Sequence, residues 1–228
     1  LLPVAPSQLE GGGYVNIGGS FLRQRREAKA FGRLIHGWFE LIDWLPASGE
    51  VSAKLSLEKA IEYARRLGLN EKQSQKAFER FVEFTASAPA QSVLIEAEYS
   101  KSVSEWLGNL PLDPVRLSRE VRNEQPIAHR DPTQQRVLSG TIDRLIVHRE
   151  GSTPVAADII DYKTDPCAEF DEAFIREKRD FYSPQLAAYA DAVATMFRIP
   201  PAHIRKRLLM VAPGHLIEVD EVLIESAS

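Results

Sequence analysis

Two acids and a lysine stand among aliphatic residues: Asp143 in Thr141-Ile142-Asp143-Arg144-Leu145-Ile146-Val147, and Asp161 with Lys163 in Ile159-Ile160-Asp161-Tyr162-Lys163. Both runs have the β-branched, aliphatic make-up of strands, and Arg149-Glu150-Gly151-Ser152-Thr153-Pro154 separates them as a hairpin loop. In an antiparallel hairpin with that loop, Asp143 and Asp161 face each other to within one residue of register, with Cβ atoms about 4.5–5.5 Å apart when directly opposed. Side chains repeat their face every second residue, so Lys163 projects on the side of Asp161.

Two carboxylates that close repel, and burying them unpaired costs several kcal/mol each. A cation between them relieves both. Oxygen ligands with an open coordination sphere suit Mg²⁺, with Mn²⁺ as a substitute. The Lys163 ammonium then holds or helps deprotonate the attacking water and counters charge developing on phosphorus. Such chemistry is metal-assisted phosphodiester hydrolysis. Either Asp alone also fits an ion pair with Arg144 or Lys163 on a solvated sheet face, and it is the matched pair with the lysine that favours the metal.

His36, in Gly32-Arg33-Leu34-Ile35-His36-Gly37-Trp38-Phe39-Glu40, lies about 130° round a helix from the centre of its apolar stripe, neither in the core nor fully outward. Glu40, one turn on, is placed to orient its imidazole. Gln185 and Tyr189 form another i, i+4 pair in the first turns of a helix whose positive end attracts phosphate; a helix cap and a core aromatic are their plain structural roles, Tyr189 is expected in the core in any case, and both roles can coexist.

The elements that must position these groups follow from periodicity. Phe31, Leu34, Ile35, Trp38, Phe39 and Ile42 mark an amphipathic helix over Ala28 to Trp44. Helical stretches follow at Ser56 to Arg66, Glu71 to Ala86, Ser92 to Tyr99 and Val103 to Leu107, so residues 50–113 read as a helical insert. Arg116 to Ala128, Arg136 to His148 and Val155 to Lys163 read as an antiparallel meander. Ser183 as N-cap and Pro184 at the first helical position open a helix with Leu186, Tyr189, Ala190, Val193 and Phe197 on one face. Lys206 to Ala212 and Leu216 to Leu223 are strands about a Pro213-Gly214 turn.

A chain of 228 residues, above the roughly 150 of an average domain, fits one domain with a sizeable insert. Its 44% hydrophobic and 26% charged residues support a real core. No apolar run reaches the ~18 residues of a membrane span, and the N-terminus lacks a signal-peptide pattern, so a soluble, cytoplasmic protein without membrane contact is expected. The single Cys167 excludes an internal disulfide, a four-cysteine zinc site and a cysteine-held iron–sulfur cluster. Residues 1–27 read as a linker leading into the domain at 28–228; their glycines form no phosphate-binding loop, since no Lys follows at the required place. Leu1 in place of Met is expected of a processed product or a piece of a longer chain. The net charge of −4 rules out a uniformly basic nucleic-acid binder but leaves basic clusters at Arg23, Arg25, Arg26, Lys29 and Arg33 and at Arg205-Lys206-Arg207.

Taken together, Gly32–Glu40, Gly140–Leu145, Ile159–Thr164 and Tyr182–Ala190 resemble, in order, the motifs of the PD-(D/E)XK nuclease superfamily, and specifically the C-terminal nuclease domain of RecB and AddA-type helicase-nucleases. The resemblance implies an α/β fold, a restriction-endonuclease-like mixed β-sheet flanked by helices with the helical insert. It implies that His36, Asp143, Asp161 and the main-chain carbonyl of Tyr162 ligate Mg²⁺, that Lys163 is the catalytic lysine, and that Gln185 and Tyr189 form the Q-x-x-x-Y motif beside DNA. Glu124, in Glu124-Gln125-Pro126-Ile127, is similar to the family's E-x-P-[FI] glutamate, which approaches the metal through water. The four-cysteine iron–sulfur staple of some branches is absent. The function implied is a Mg²⁺-dependent exodeoxyribonuclease joined to a helicase region of the same polypeptide and to an associated helicase-nuclease subunit, in recombination and double-strand-break repair. A non-catalytic DNA-binding or scaffolding module with the same fold is the alternative; such modules typically lose an acid or the lysine, and both are present here.

Overall fold

The computed structural model describes residues 3–4, 30–113, 116–131, 136–165, 167 and 169–219. The linker expected at 1–27 therefore lies outside the described residues, apart from the two-residue strand β1 (Pro3–Val4), and so do the four cations from Arg23 to Lys29. After helix α1 (residues 30–39) come α2 (Leu57–Arg66), α3 (Glu71–Thr85), α4 (Ala88–Leu94) and α5 (Glu96–Gly108), then β2 (Leu117–Asp131), β3 (Arg136–Glu150), β4 (Thr153–Lys163), α6 (Glu172–Phe197), β5 (Ile204–Met210) and β6 (His215–Glu218). The sheet is mixed. It runs β2-β3-β4-β5-β6, with β4–β5 parallel, the other neighbours antiparallel, and β1 set parallel beside the start of β3.

Both faces of this sheet are covered, which is why the central strands are apolar on both sides. Ile146, Ile160, Tyr162 and Leu209 face α1 and the insert helices α2–α5, and pack with Leu34, Trp38, Phe39 and Phe81. Their chain neighbours Leu145, Val147, Ile159, Leu208 and Met210 face α6, against Leu186, Tyr189 and Val193. The alternation is that of a pleated strand. No helix among the described residues is long and apolar enough to cross a membrane.

Local chemistry sets the insert's boundaries. Asn70 and Gln73 form a reciprocal capping box at the start of α3, and Ser56 and Ser87 accept from Lys59 N and Ala90 N to open α2 and α4. Gly68, at φ +82°, lets the chain leave α2 in a left-handed conformation.

Several expected boundaries move. Helix α1 stops at residue 39 instead of Trp44, because the Arg144 guanidinium takes the carbonyls of Ile42 and Asp43, and the Asn123 amide those of Glu40 and Ile42. Helix α6 starts eleven residues before Ser183, with Asp171 as its N-cap accepting from Phe174 N at 2.8 Å. Pro184 is thus interior to α6, where it removes one backbone hydrogen bond that the buried face from Tyr182 to Val193 compensates by packing. The six-residue hairpin loop tightens to Gly151-Ser152, since Glu150 pairs with Thr153 and Gly151 takes φ +61°. The basic cluster at 205–207 is not a free patch: Arg205 pairs with Glu218, and Arg207 pairs with Asp158 in full burial.

Candidate functional site

The hairpin register decides where the acids meet. A bulge between His148 and Arg149 shifts the β3–β4 ladder by one residue, after which it runs unbroken from His148 opposite Ala156 to Arg144 opposite Ile160. In that register Asp143 and Asp161 would be the next pair outward. There the ladder stops. β4 stays with β5, pairing Asp161 with Leu208, Tyr162 with Leu209 and Lys163 with Met210. Into the opening between β3 and β4 goes the Asp143 side chain, whose Oδ2 accepts the Tyr162 N–H at 2.7 Å.

The other oxygen, Oδ1, lies 3.1 Å from His36 Nδ1. Phe39, which stacks on the Tyr162 ring at 4.1 Å, and the buried Trp38 seat α1 so that His36 looks across at β3. Asp143, not Glu40, holds the imidazole; Glu40 is exposed and makes no side-chain bond to it among the described residues. Glu124 on β2 completes a trio with these two. His36, Glu124 and Asp143 each offer a ligand atom within 4.8 Å of the others. Glu124 reaches the site because its φ is +48°, which breaks the β2–β3 ladder between Asn123 and Gln125 and turns its side chain off the regular alternation.

Asp161 falls outside that close trio and is bound instead to Lys163, whose Nζ lies 2.8 Å from Oδ2. Lys163 also donates to Gln185 Oε1 at 3.1 Å and sits 4.2 Å above the Tyr182 ring. Gln185 Nε2 in turn donates to the Tyr189 hydroxyl at 3.0 Å. The buried i, i+4 pair of α6 therefore grips the lysine. Tyr162 offers its N–H to Asp143, and its ring is core.

The electrostatics reflect crowded acids. Burial pushes the Glu124 carboxyl up to about 7, and the charges of Asp143, Glu40 and Asp161 add to this while His36 opposes it. Burial also raises Asp161, helped by Asp143 and opposed by Lys163 and His36. For His36, burial works against the imidazolium, but the hydrogen bond to Asp143 and the charges of Asp143, Asp161 and Glu124 outweigh it and raise the ring above its ordinary value. Three carboxyls facing one imidazole and one ammonium leave an excess of negative charge that a divalent cation would neutralise. The carboxylate oxygens suit Mg²⁺ or Mn²⁺, and the one imidazole nitrogen favours Mn²⁺, the softer of the two. With 31% of the His36 side chain exposed, the trio can be reached from solvent.

Beside the trio opens a cavity of about 370 Å³ lined by His36, Glu124, Arg33, Tyr63 and Leu67. Tyr63 and Gly37 escape a periodicity analysis. A Cβ on Gly37 would lie 2.0 Å from the Tyr63 hydroxyl, so the glycine is what lets α2 approach α1 here. A glycine inside a strongly helical run was the available signal.

The family model of the PD-(D/E)XK nuclease superfamily matches residues 16–225, a span that contains every residue of this arrangement. Among curated proteins, none matches the chain.

Proposed function

The chain belongs to the PD-(D/E)XK nuclease superfamily, and we propose that it is a metal-dependent nuclease that hydrolyses DNA phosphodiester bonds. The observation that supports this most is the parting of β3 and β4 beside Asp143 and Asp161, with His36 and Glu124 on one flank and Lys163 on the other. Held by His36, Asp143, Asp161 and the Tyr162 carbonyl, Mg²⁺ or Mn²⁺ would supply positive charge that polarises the scissile phosphate. Asp143 keeps its carboxylate aimed by accepting the Tyr162 N–H, and its hydrogen bond to His36 Nδ1 fixes the ring. Lys163 is held between Asp161 and Gln185, from where it positions the attacking water and counters charge on the phosphorane oxygens. Gln185 and Tyr189 hold that ammonium in place beside the DNA.

The finer reading follows the motif resemblance: an exodeoxyribonuclease in the cytoplasm, part of an ATP-dependent helicase-nuclease acting in recombination and double-strand-break repair. The test is Mg²⁺-dependent cleavage of linear DNA. Asp161→Ala and Lys163→Ala are each expected to lower the rate by about 10²–10⁴-fold with an unchanged circular-dichroism spectrum. Full activity in either variant overturns the assignment. Calorimetric titration with Mn²⁺ is expected to find a site that disappears in Asp143→Ala.

A further inference from the structure

Lys163 ends β4, and the chain that leaves it is fastened at once to α6. Asp165, just past the strand, accepts from Lys178 Nζ at 3.0 Å through Oδ1 and from the Tyr182 hydroxyl at 2.9 Å through Oδ2. Lys178, Tyr182, Gln185 and Tyr189 follow one another at i+4, i+3 and i+4, so they form a single stripe along α6. The two ends of the stripe hold different groups. Gln185, with Tyr189 behind it, binds the Lys163 ammonium, whereas Lys178 binds Asp165.

Tyr182 joins these ends. It is 5% exposed, and Lys163 Nζ lies 4.2 Å from the centre of its ring, at the face where an aromatic system is negative. Packing in the apolar core accounts for the burial of this residue but not for its aim: the hydroxyl is turned to Asp165 and the ring face to Lys163. A lysine ammonium rides on a flexible four-carbon stem, and Asp161 and Gln185 fix it from two directions. The ring supplies a third contact. Two contacts leave the nitrogen an arc to swing through; a third defines a point. Attraction between a cation and a π face grows as water is excluded, and the Lys163 side chain is only 13% exposed.

Resting on the nuclease reading, we propose that Tyr182 is a positioning residue: its π face sets where the Lys163 ammonium meets the attacking water, and Asp165, gripped by Lys178, sets the ring. The exit of β4 and the first buried turn of α6 thereby act as one buttress behind the lysine.

The experiment joins two readouts on the full chain. In EDTA, NMR of lysine-labelled protein follows the Lys163 ε-methylene protons, assigned by their loss in Lys163→Ala. Ring current is expected to place them upfield of the exposed lysines in the wild type and in Tyr182→Phe, and the displacement is expected to vanish in Tyr182→Leu. With Mg²⁺ and linear DNA, Tyr182→Leu is expected to lower kcat about tenfold and to leave KM within about twofold of wild type. Tyr182→Phe, which keeps the π face, is expected to recover most of that loss. Should Tyr182→Leu melt early, Asp165→Ala decides; it frees the ring from outside the core, and is expected to reduce the upfield displacement and to lower kcat about threefold. Lys163 protons that do not respond to these variants, or variants that cut DNA with the wild-type kcat, overturn the proposal. A wild type that fails to cut DNA overturns the nuclease reading separately, because the metal-free spectra still decide whether the ring holds the ammonium.

Discussion

Glu124 carries two costs at once. A left-handed φ costs a residue with a Cβ about 1–2 kcal/mol, and its carboxyl is pushed up to about 7 among other acids. Glu124→Asn, a type that tolerates that conformation, is expected to raise the melting temperature in EDTA by about 2–4 °C and to weaken Mn²⁺ binding in calorimetry. The pH dependence has a definite sign. An acid with a raised folded pKa binds more protons folded than unfolded, so stability falls as pH rises from its ordinary 4.5 to about 7. Asp161 and His36, both raised, act in the same direction. Melting temperatures in EDTA should therefore decline across this window, and Glu124→Gln should flatten the decline; an unaltered slope contradicts the burial argument. The placement of Asp143, Asp161 and Lys163 at one end of a hairpin was legible to within one residue from strand make-up, and that of His36 on a helix flank from helical period, whereas the bulge between His148 and Arg149 that sets the register was not. The inward turn of Glu124 was not, since it depends on one inverted backbone angle. Nor was Arg144, a candidate partner for Asp143 by adjacency, which is fully buried and tethers the segment after α1.

At the scale of elements, the spacing of α1 and α2 is set by Gly37. Gly37→Ala would place a methyl 2.0 Å from the Tyr63 hydroxyl oxygen, 2.2 Å from Cζ and 2.5 Å from Cε1. Overpacking of that kind costs about 1–3 kcal/mol. Since ring carbons clash as well as oxygen, Tyr63→Phe is not expected to rescue Gly37→Ala in urea unfolding, whereas Tyr63→Ala is. Periodicity revealed most helices because their apolar faces are buried, as in α1 and α3. It misplaced the start of α6: a Ser-Pro pair has the form of a helix opening, yet Asp171 caps the helix far upstream and the long buried face carries the proline inside. The strands β2 and β3 run past their expected ends at Ala128 and His148 because the backbone ladder continues, to Asp131 opposite Arg136 and to Glu150 opposite Leu117.

For the whole molecule, the insert is fastened to the sheet by a polar network with no access to water. Tyr99 of α5 donates to Asp158 Oδ2 at 3.0 Å and lies 3.0 Å from His148 Nε2, while Asp158 takes Arg207 through Nε at 3.1 Å and through Nη2. Burial, with Arg119 and Arg207 nearby, pushes His148 down to about 3, so the ring is neutral at working pH and can offer its Nε2–H to the tyrosine oxygen. Asp158→Ala leaves a buried guanidinium uncompensated and is expected to cost about 3–5 kcal/mol by urea denaturation; Asp158→Leu with Arg207→Met is expected to return close to wild type. Nothing in the order of residues announced this network, since Arg207 belongs by sequence to a basic run and its partner lies 49 positions away. One further feature joins the layers. Asp161 and Tyr162 are consecutive, yet the first shares its lysine with α6 while the second stacks on Phe39 of α1. A displacement of β4 of even a fraction of an ångström is thus felt on both sides of the sheet, and turnover becomes a strain gauge for packing far from any phosphate.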